Sequence, residues 1–234
     1  MEPLAELAKH VVSYVQGAKR FPSNKWKAVR VADNPTLVLP SEAALILGEE
    51  PSYGIPAFYA SREEILPDGV YLLGDDLTQL GPQTSYARLV FVKLRNFFSY
   101  DKDDAFDRIK AIKDLEKTLL MEGIGIQDSQ FDKQETLLFK HDNFERLNFE
   151  AIGDSYINLF KTNSDVDKVA VVFVTVPSFP FVEVKKQAIL ADKTLEVMTY
   201  LGHAPYQCSS CAKKPFCDVV PGLRDLHLAR SETK

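Results

Sequence analysis

Val169-Ala-Val-Val-Phe-Val-Thr-Val176 is a continuous apolar run that is rich in β-branched residues. A short run of this kind predicts a buried strand. A helical pattern over residues 181–201 follows it and stops at Gly202, and glycine is a common residue just past a helix end. The sequence therefore predicts a buried strand followed by a long helix in this part of the chain.

Strand and helix patterns alternate upstream of this run. Strand patterns occur at residues 69–74, 86–97 and 135–140, and helical patterns occur at residues 102–122 and 143–161. Alternation of this kind predicts an α+β (mixed α/β) fold, in which a central mixed sheet is layered with helices. A C-terminal cysteine-rich loop segment follows this sheet.

The first 65 residues are less regular. The patterns predict a helix over residues 3–16, a strand over 25–32, a short helix over 41–47 and a loop over 51–56. A weak change of composition near residues 66–68 suggests a boundary. We therefore predict three segments: an N-terminal α/β segment of unassigned role (1–65), a main α/β domain (66–202) and a C-terminal segment (203–234).

Composition excludes several classes of protein. The chain has 234 residues, of which 45% are hydrophobic and 26% are charged, and its formal net charge is -5. General nucleic-acid binding needs an excess of positive charge, so we expect none. No apolar run approaches the roughly 20 residues of a membrane span, and we expect neither a signal peptide nor a membrane partner. Three cysteines do not fit a disulfide framework, which predicts a cytoplasmic protein; the sequence does not define its oligomeric state.

All three cysteines lie close together in the run Tyr206-Gln-Cys-Ser-Ser-Cys-Ala-Lys-Lys-Pro-Phe-Cys217. Thiolates at this spacing can converge on one soft metal ion or cluster, and such sites usually have four ligands. Two histidines could supply the fourth ligand: His203, five residues before Cys208, and His227, ten residues after Cys217. We therefore predict a metal centre on Cys208, Cys211 and Cys217 with one histidine.

The spacing does not separate an iron–sulfur cluster from structural zinc. Two other readings also remain open: three unrelated buried thiols, and a redox Cys-x-x-Cys pair that has no need of Cys217. Lys213 and Lys214 fit either a solvated loop tip or a positive surface for an acidic redox partner.

The cysteine run and four upstream segments resemble acetyl-CoA synthase, the β-subunit of the carbon monoxide dehydrogenase/acetyl-CoA synthase complex. In that family a Tyr-Ser-Cys-x2-Cys run leads to two further cysteines that together hold a [4Fe–4S] cluster. The upstream segments are similar to that family's central domain and keep its order: Leu66-Pro-Asp-Gly-Val-Tyr-Leu72, Gly123-Ile-Gly-Ile-Gln-Asp128, Arg146-Leu-x-Phe-x-x-Ile-Gly-Asp154 and Asp167-Lys-Val-Ala-Val171. The resemblance covers roughly residues 66–230.

Two departures limit what this resemblance implies. His227 stands where the family has its fourth cluster cysteine, and the sequence lacks the Cys-Gly-Cys motif that holds the family's nickel sites. The resemblance therefore implies the scaffold and a [4Fe–4S] centre, while zinc stays the alternative from the spacing, and we do not expect the chain to be an enzyme by itself. The implied role is electron transfer, assembly or an accessory task in anaerobic one-carbon metabolism, beside a redox, corrinoid or carbon monoxide dehydrogenase-type partner.

A second hypothesis is an α/β interaction protein whose C-terminal tail is folded by structural zinc.

A third hypothesis concerns the basic residues on the strand pattern at residues 86–97. Arg88, Lys93 and Arg95 are candidates for binding an anionic, CoA-like ligand, which would make the chain an enzyme. The alternative is that these side chains cover a solvated face of the strand.

Overall fold

The computed structural model describes most of the chain, and the structural statements below refer to the described part. It comprises residues 3–22, 29–30, 32, 40–48, 52–59, 65–95, 102–128, 134–201 and 209–220. Its helices are α1 (Pro3–Ser13), α2 (Lys102–Leu115), α3 (His141–Phe144), α4 (Phe149–Phe160), α5 (Phe181–Leu201) and α6 (Lys214–Val219). Its strands are β1 (Lys19–Arg20), β2 (Ala43–Leu47), β3 (Tyr53–Tyr59), β4 (Gly69–Leu73), β5 (Ala87–Leu94), β6 (Ile124–Asp128), β7 (Glu135–Lys140) and β8 (Val166–Val174).

The strands form two sheets. The large sheet has five strands in the order β1-β4-β8-β5-β3, and the small sheet has three strands in the order β2-β7-β6. In the large sheet β4 runs parallel to β8 and β3 runs parallel to β5, whereas β5 and β8 are antiparallel. The small sheet is antiparallel throughout. A mixed sheet layered with helices confirms the predicted α+β class.

Strand β8 is central because its sequence is apolar on both faces. Residues Val169 to Val174 are at most 1% exposed. On one face Phe173 stacks on Phe149 of α4, with their ring centroids 4.4 Å apart. Gly153 lets α4 approach β4 closely, since a Cβ atom there would lie 2.5 Å from both methyl groups of Val70. Helices α5 and α1 pack on each other and on β3.

Several predicted elements are confirmed. The predicted helix over residues 181–201 matches α5. Strands β4, β5 and β7 lie within their predicted ranges, and β8 overlaps the predicted strand at residues 169–176. None of the described helices is long and apolar enough to cross a membrane.

Two N-terminal predictions are wrong. The predicted helix at residues 41–47 is strand β2, whose alternate residues Leu45 and Leu47 are buried against β7. The predicted loop at residues 51–56 is largely strand β3, which includes Pro56. Proline is tolerated there because β3 is the outermost strand of the large sheet. Strand pairing with β7 and β5 decided both elements, and the local residues do not show it.

Other boundaries also differ from the predictions. The predicted helix at 102–122 ends as α2 at Leu115 and continues as a 3-10 turn over Glu116–Thr118. The predicted helix at 143–161 is divided between the end of the short α3, which stops at Phe144, and α4, which begins at Phe149. The predicted strand at 25–32 lies largely outside the described residues.

The predicted boundary between residues 65 and 66 does not divide the sheets. Strand β3 precedes it and pairs along its length with β5, which follows it. Strand β2 likewise pairs with β7. The described residues on both sides of this boundary therefore share two sheets and one core.

Candidate metal centre and the basic strand

The C-terminal segment is attached to the core near its described end. Val220 is 1% exposed and belongs to the same hydrophobic cluster as the large sheet. Cys217, three residues earlier, is partly buried and packs against that cluster. Val219 lies between them in sequence and is 65% exposed. This part of the chain, predicted as loop, is thus a short helix with one side on the core.

Cys211 and Cys217 are half-buried thiols that no disulfide joins. The backbone N–H of Lys214 donates to the carbonyl of Cys211 at 3.1 Å, and that of Cys217 donates to the carbonyl of Lys213 at 3.1 Å. The chain is therefore wound between the two cysteines. Six helical residues advance about 9 Å, whereas six extended residues span about 20 Å. Pro215 lies in the first turn of α6, where the loss of its N–H has no cost.

The other predicted ligands lie outside the described residues. These are Cys208, His203 and His227. Within the described part of the chain, no group of three or more histidine, cysteine or acidic residues is placed to hold a metal ion. The structure thus places two of the predicted ligands on one turn and helix, and the complete ligand set stays a prediction.

The surface beside the two thiols is polar and exposed. Lys213, Lys214 and Pro215 are exposed at the start of α6, and Asp218 is exposed near its end. A thiolate-ligated centre carries negative charge, so the two lysines would interact favourably with it. The same exposure also suits a solvated loop tip.

Arg88 lies in the interior, where its charge is neutralised by residues of this chain. Its guanidinium donates to Glu135 on β7 through Nε at 3.0 Å and Nη2 at 2.5 Å, and to Glu116 through Nη1 at 2.7 Å. It also lies 4.1 Å from the ring centroid of Tyr156 on α4, and Tyr86 donates its hydroxyl to Glu135 at 2.6 Å. We call these five residues the buried arginine cluster.

Burial and charge shift the pKa values of this cluster. Burial raises the pKa of Tyr86 well above its usual 10.0, and the nearby Glu135 carboxylate raises it further. Burial by itself lowers the pKa of Arg88, but its attraction to Glu135 and other neighbours outweighs this effect and leaves the pKa above its usual value. Arg88 is therefore a fully charged, fully paired group inside the protein.

The structure does not bring Arg88, Lys93 and Arg95 together on one face, and the anion site suggested for them stays a prediction. Arg88 is 3% exposed and faces α4, while Lys93, five residues along the strand, points to the opposite face. Lys93 and Arg95 both approach Asp167, at 3.5 and 3.7 Å. Side-chain alternation thus separates Arg88 from Lys93 and Arg95, and carboxylates of this chain pair with all three residues.

The partners of Arg88 were missed in the sequence. Glu135 precedes an apolar run and Glu116 lies in a helical pattern, so both resemble ordinary surface acids. Gly54 gives a clearer signal only in the structure: a Cβ atom there would lie 2.0 Å from Oε2 of Glu135. The one indication in the sequence was Arg88 itself, because an arginine within a largely apolar strand needs a buried partner for its charge.

Asp154 is half-buried and is the last residue of the segment Arg146–Asp154, one of those that resemble acetyl-CoA synthase. It lies on α4 directly after Gly153, and burial raises the pKa of its carboxyl group. Its position fits the close approach of α4 to β4.

No protein-family model and no curated protein matches this chain. The resemblance to acetyl-CoA synthase therefore stays a prediction.

Proposed function

We propose that the chain is a metal-binding protein whose C-terminal segment holds a [4Fe–4S] cluster on Cys208, Cys211 and Cys217. His227 is the proposed fourth ligand, with His203 as the alternative. Structural zinc on the same residues is the alternative occupant, because both groups are bound by cysteine thiolates and histidine. The observation that carries the proposal is the placement of Cys211 and Cys217 as half-buried thiols on one wound turn and helix.

The described residues fit such a group in three respects. Neither thiol is used in a disulfide. Winding of the backbone shortens the separation of two ligands that are six positions apart in sequence. Cys217 packs against the core, which would shield one side of a bound group from water and leave the side at Lys213 and Lys214 open.

The proposed role is non-catalytic and cytoplasmic. A cluster, when bound, supplies one-electron transfer, and the chain's own residues hold and partly cover it. The exposed lysines suit the approach of an acidic redox partner. The resemblance adds a context, namely electron transfer, assembly or an accessory task beside a carbon monoxide dehydrogenase or corrinoid protein. In its support, α4, β8 and α5 precede the cysteines in the order that the resemblance requires.

Metal analysis of protein purified without oxygen tests this proposal. We expect iron and sulfide in equal amounts together with the visible absorption of a cubane cluster. About one zinc per chain without sulfide would instead identify the alternative occupant. A chain that binds neither iron–sulfur nor zinc, both as purified and after reconstitution, would overturn the proposal.

Substitutions then test the ligand set. Cys211→Ser and Cys217→Ser should each lower metal content severalfold, whereas Ser209→Ala, in the exposed turn between Cys208 and Cys211, should leave it unchanged. His227→Gln and His203→Gln separate the two candidate fourth ligands, since only one of them should alter the spectrum. Equal metal content in the serine variants and the alanine control would contradict the assignment.

A further inference from the structure

We propose that occupancy of the metal centre stabilises the whole α+β domain, because Cys217 is both a ligand and a core contact. This inference rests on the proposed function and extends it to the regulation of that site. The alternative is an independent C-terminal loop that binds metal whether or not the domain is folded. The two differ in whether metal content changes the stability of the sheets.

The anchoring of the segment carries this inference. Cys217 and Val220 are three residues apart, a spacing that puts both on the same side of a helical turn, and both contact the hydrophobic cluster of the large sheet. Val220 is 1% exposed, whereas its neighbour Val219 is 65% exposed. The end of α6 is therefore fixed in orientation by burial of one side.

This anchoring links metal binding to folding. The proposed ligands Cys208 and Cys211 precede α6, and Cys217 lies on its anchored side. With Cys217 held at the core surface, the three thiolates would converge there in the folded domain. Unfolding of the sheets removes this support from Cys217, so we infer that metal binds the folded state more tightly and stabilises it.

Thermal unfolding of the full chain, with and without metal, tests the link. Two samples are compared under anaerobic conditions: protein loaded with the metal found on purification, and protein from which a chelator has removed that metal. Far-UV circular dichroism reports the unfolding of the sheets and helices. We expect the loaded form to melt about 5 °C higher at saturating metal. If the loaded protein has its full metal content and yet melts at the same temperature as the metal-free protein, this inference is overturned and the proposed function stays intact.

Two neighbouring valines provide a matched pair of variants. Val220→Ala weakens the anchor without touching a proposed ligand, and it should at least halve the difference in melting temperature between loaded and metal-free protein. Val219→Ala makes the same chemical change at an exposed position and should retain the full difference. Identical behaviour of the two variants would contradict the role of the anchor.

A measurement on the unsubstituted chain covers the case in which Val220→Ala fails to fold. Hydrogen exchange at the amides of β5 and β8 should slow severalfold on metal loading if the centre stabilises the domain. Exchange that slows only in residues 209–220 would identify an independent loop and overturn the inference. A chain that binds no metal would overturn both this inference and the proposed function.

Discussion

The buried arginine cluster and the cysteine segment, residues 208–217, both carry polar groups next to the apolar core. They differ in how those groups are paired. The guanidinium of Arg88 is held by two carboxylates and an aromatic ring from three separate parts of the chain. The described cysteines are thiols at the edge of the core, beside exposed lysines. The charge of Arg88 is neutralised inside the protein and serves the fold, whereas Cys211 and Cys217 are half-buried thiols outside any disulfide, at a position where the proposed metal would bind.

Removal of one partner from the buried arginine cluster should have the largest effect. Glu135→Leu leaves Arg88 charged and poorly compensated in the interior, so we expect a loss of about 3–5 kcal/mol in the free energy of unfolding. Urea denaturation measures this loss.

The double variant Arg88→Met, Glu135→Leu is the control for this prediction. It removes both charges, and it should be more stable than Glu135→Leu alone, since apolar replacement of a whole buried pair is often tolerated. A double variant that is less stable than the single one would show that Glu116 and Tyr86 depend on the pair more than the geometry indicates.

Filling the space that Gly54 leaves should have the next largest effect. The added Cβ of Gly54→Ala would lie 2.0 Å from Oε2 of Glu135 and 2.6 Å from Nη2 of Arg88, and the ion pair cannot yield without losing its own bonds. We expect a loss of about 3 kcal/mol in the free energy of unfolding, which is typical of a crowded core. Gly81→Ala is the matched control, since nothing lies within 4 Å of its added Cβ. Similar losses in the two variants would contradict the close approach at Gly54.

Loss of one hydroxyl group should cost less and should change the pH dependence. Tyr86→Phe removes the donor to Glu135, which we expect to cost about 1–2 kcal/mol at neutral pH. The pKa of Tyr86 is raised on folding from 10.0, so the unfolded chain releases this proton first as the pH rises. The contribution of Tyr86 is therefore complete below about pH 10 and decreases above it.

Unfolding at several alkaline pH values checks this sign. The stability of the unsubstituted chain should decrease more steeply above pH 10 than that of Tyr86→Phe, and the difference between the two should narrow as the pH rises. A difference that widens with pH would mean that the tyrosine ionises more readily in the folded state, which its burial against Glu135 opposes.

The sequence predicts a region well when the interactions that form it join residues close together in sequence, and poorly when they join distant residues. The apolar runs of β8 and α5 are local patterns, and both elements were found. The two carboxylates that hold Arg88 are 28 and 47 positions away in sequence, and no local pattern shows such contacts. Strand β3 was missed for the same reason, since its pairing with β5 outweighs Pro56. The cysteines form a local pattern, so the sequence alone suggests a metal centre, which stays a prediction, while the identity of a fourth ligand depends on the fold.

Substitution of an exposed arginine just past the end of β5 should have the smallest effect. The side chain of Arg95 is 55% exposed and lies 3.7 Å from Asp167, in contrast to the buried pair at Arg88. Water already solvates both charges, so Arg95→Met should change the free energy of unfolding by less than about 0.5 kcal/mol. Arg88→Met makes the identical substitution seven residues earlier and should cost several times more, because it leaves Glu135 buried without its main partner. Urea denaturation of these two variants compares the loss in the free energy of unfolding for the same chemical change at an exposed and at a buried position. Equal losses would mean that burial does not determine what an arginine in this part of the chain contributes.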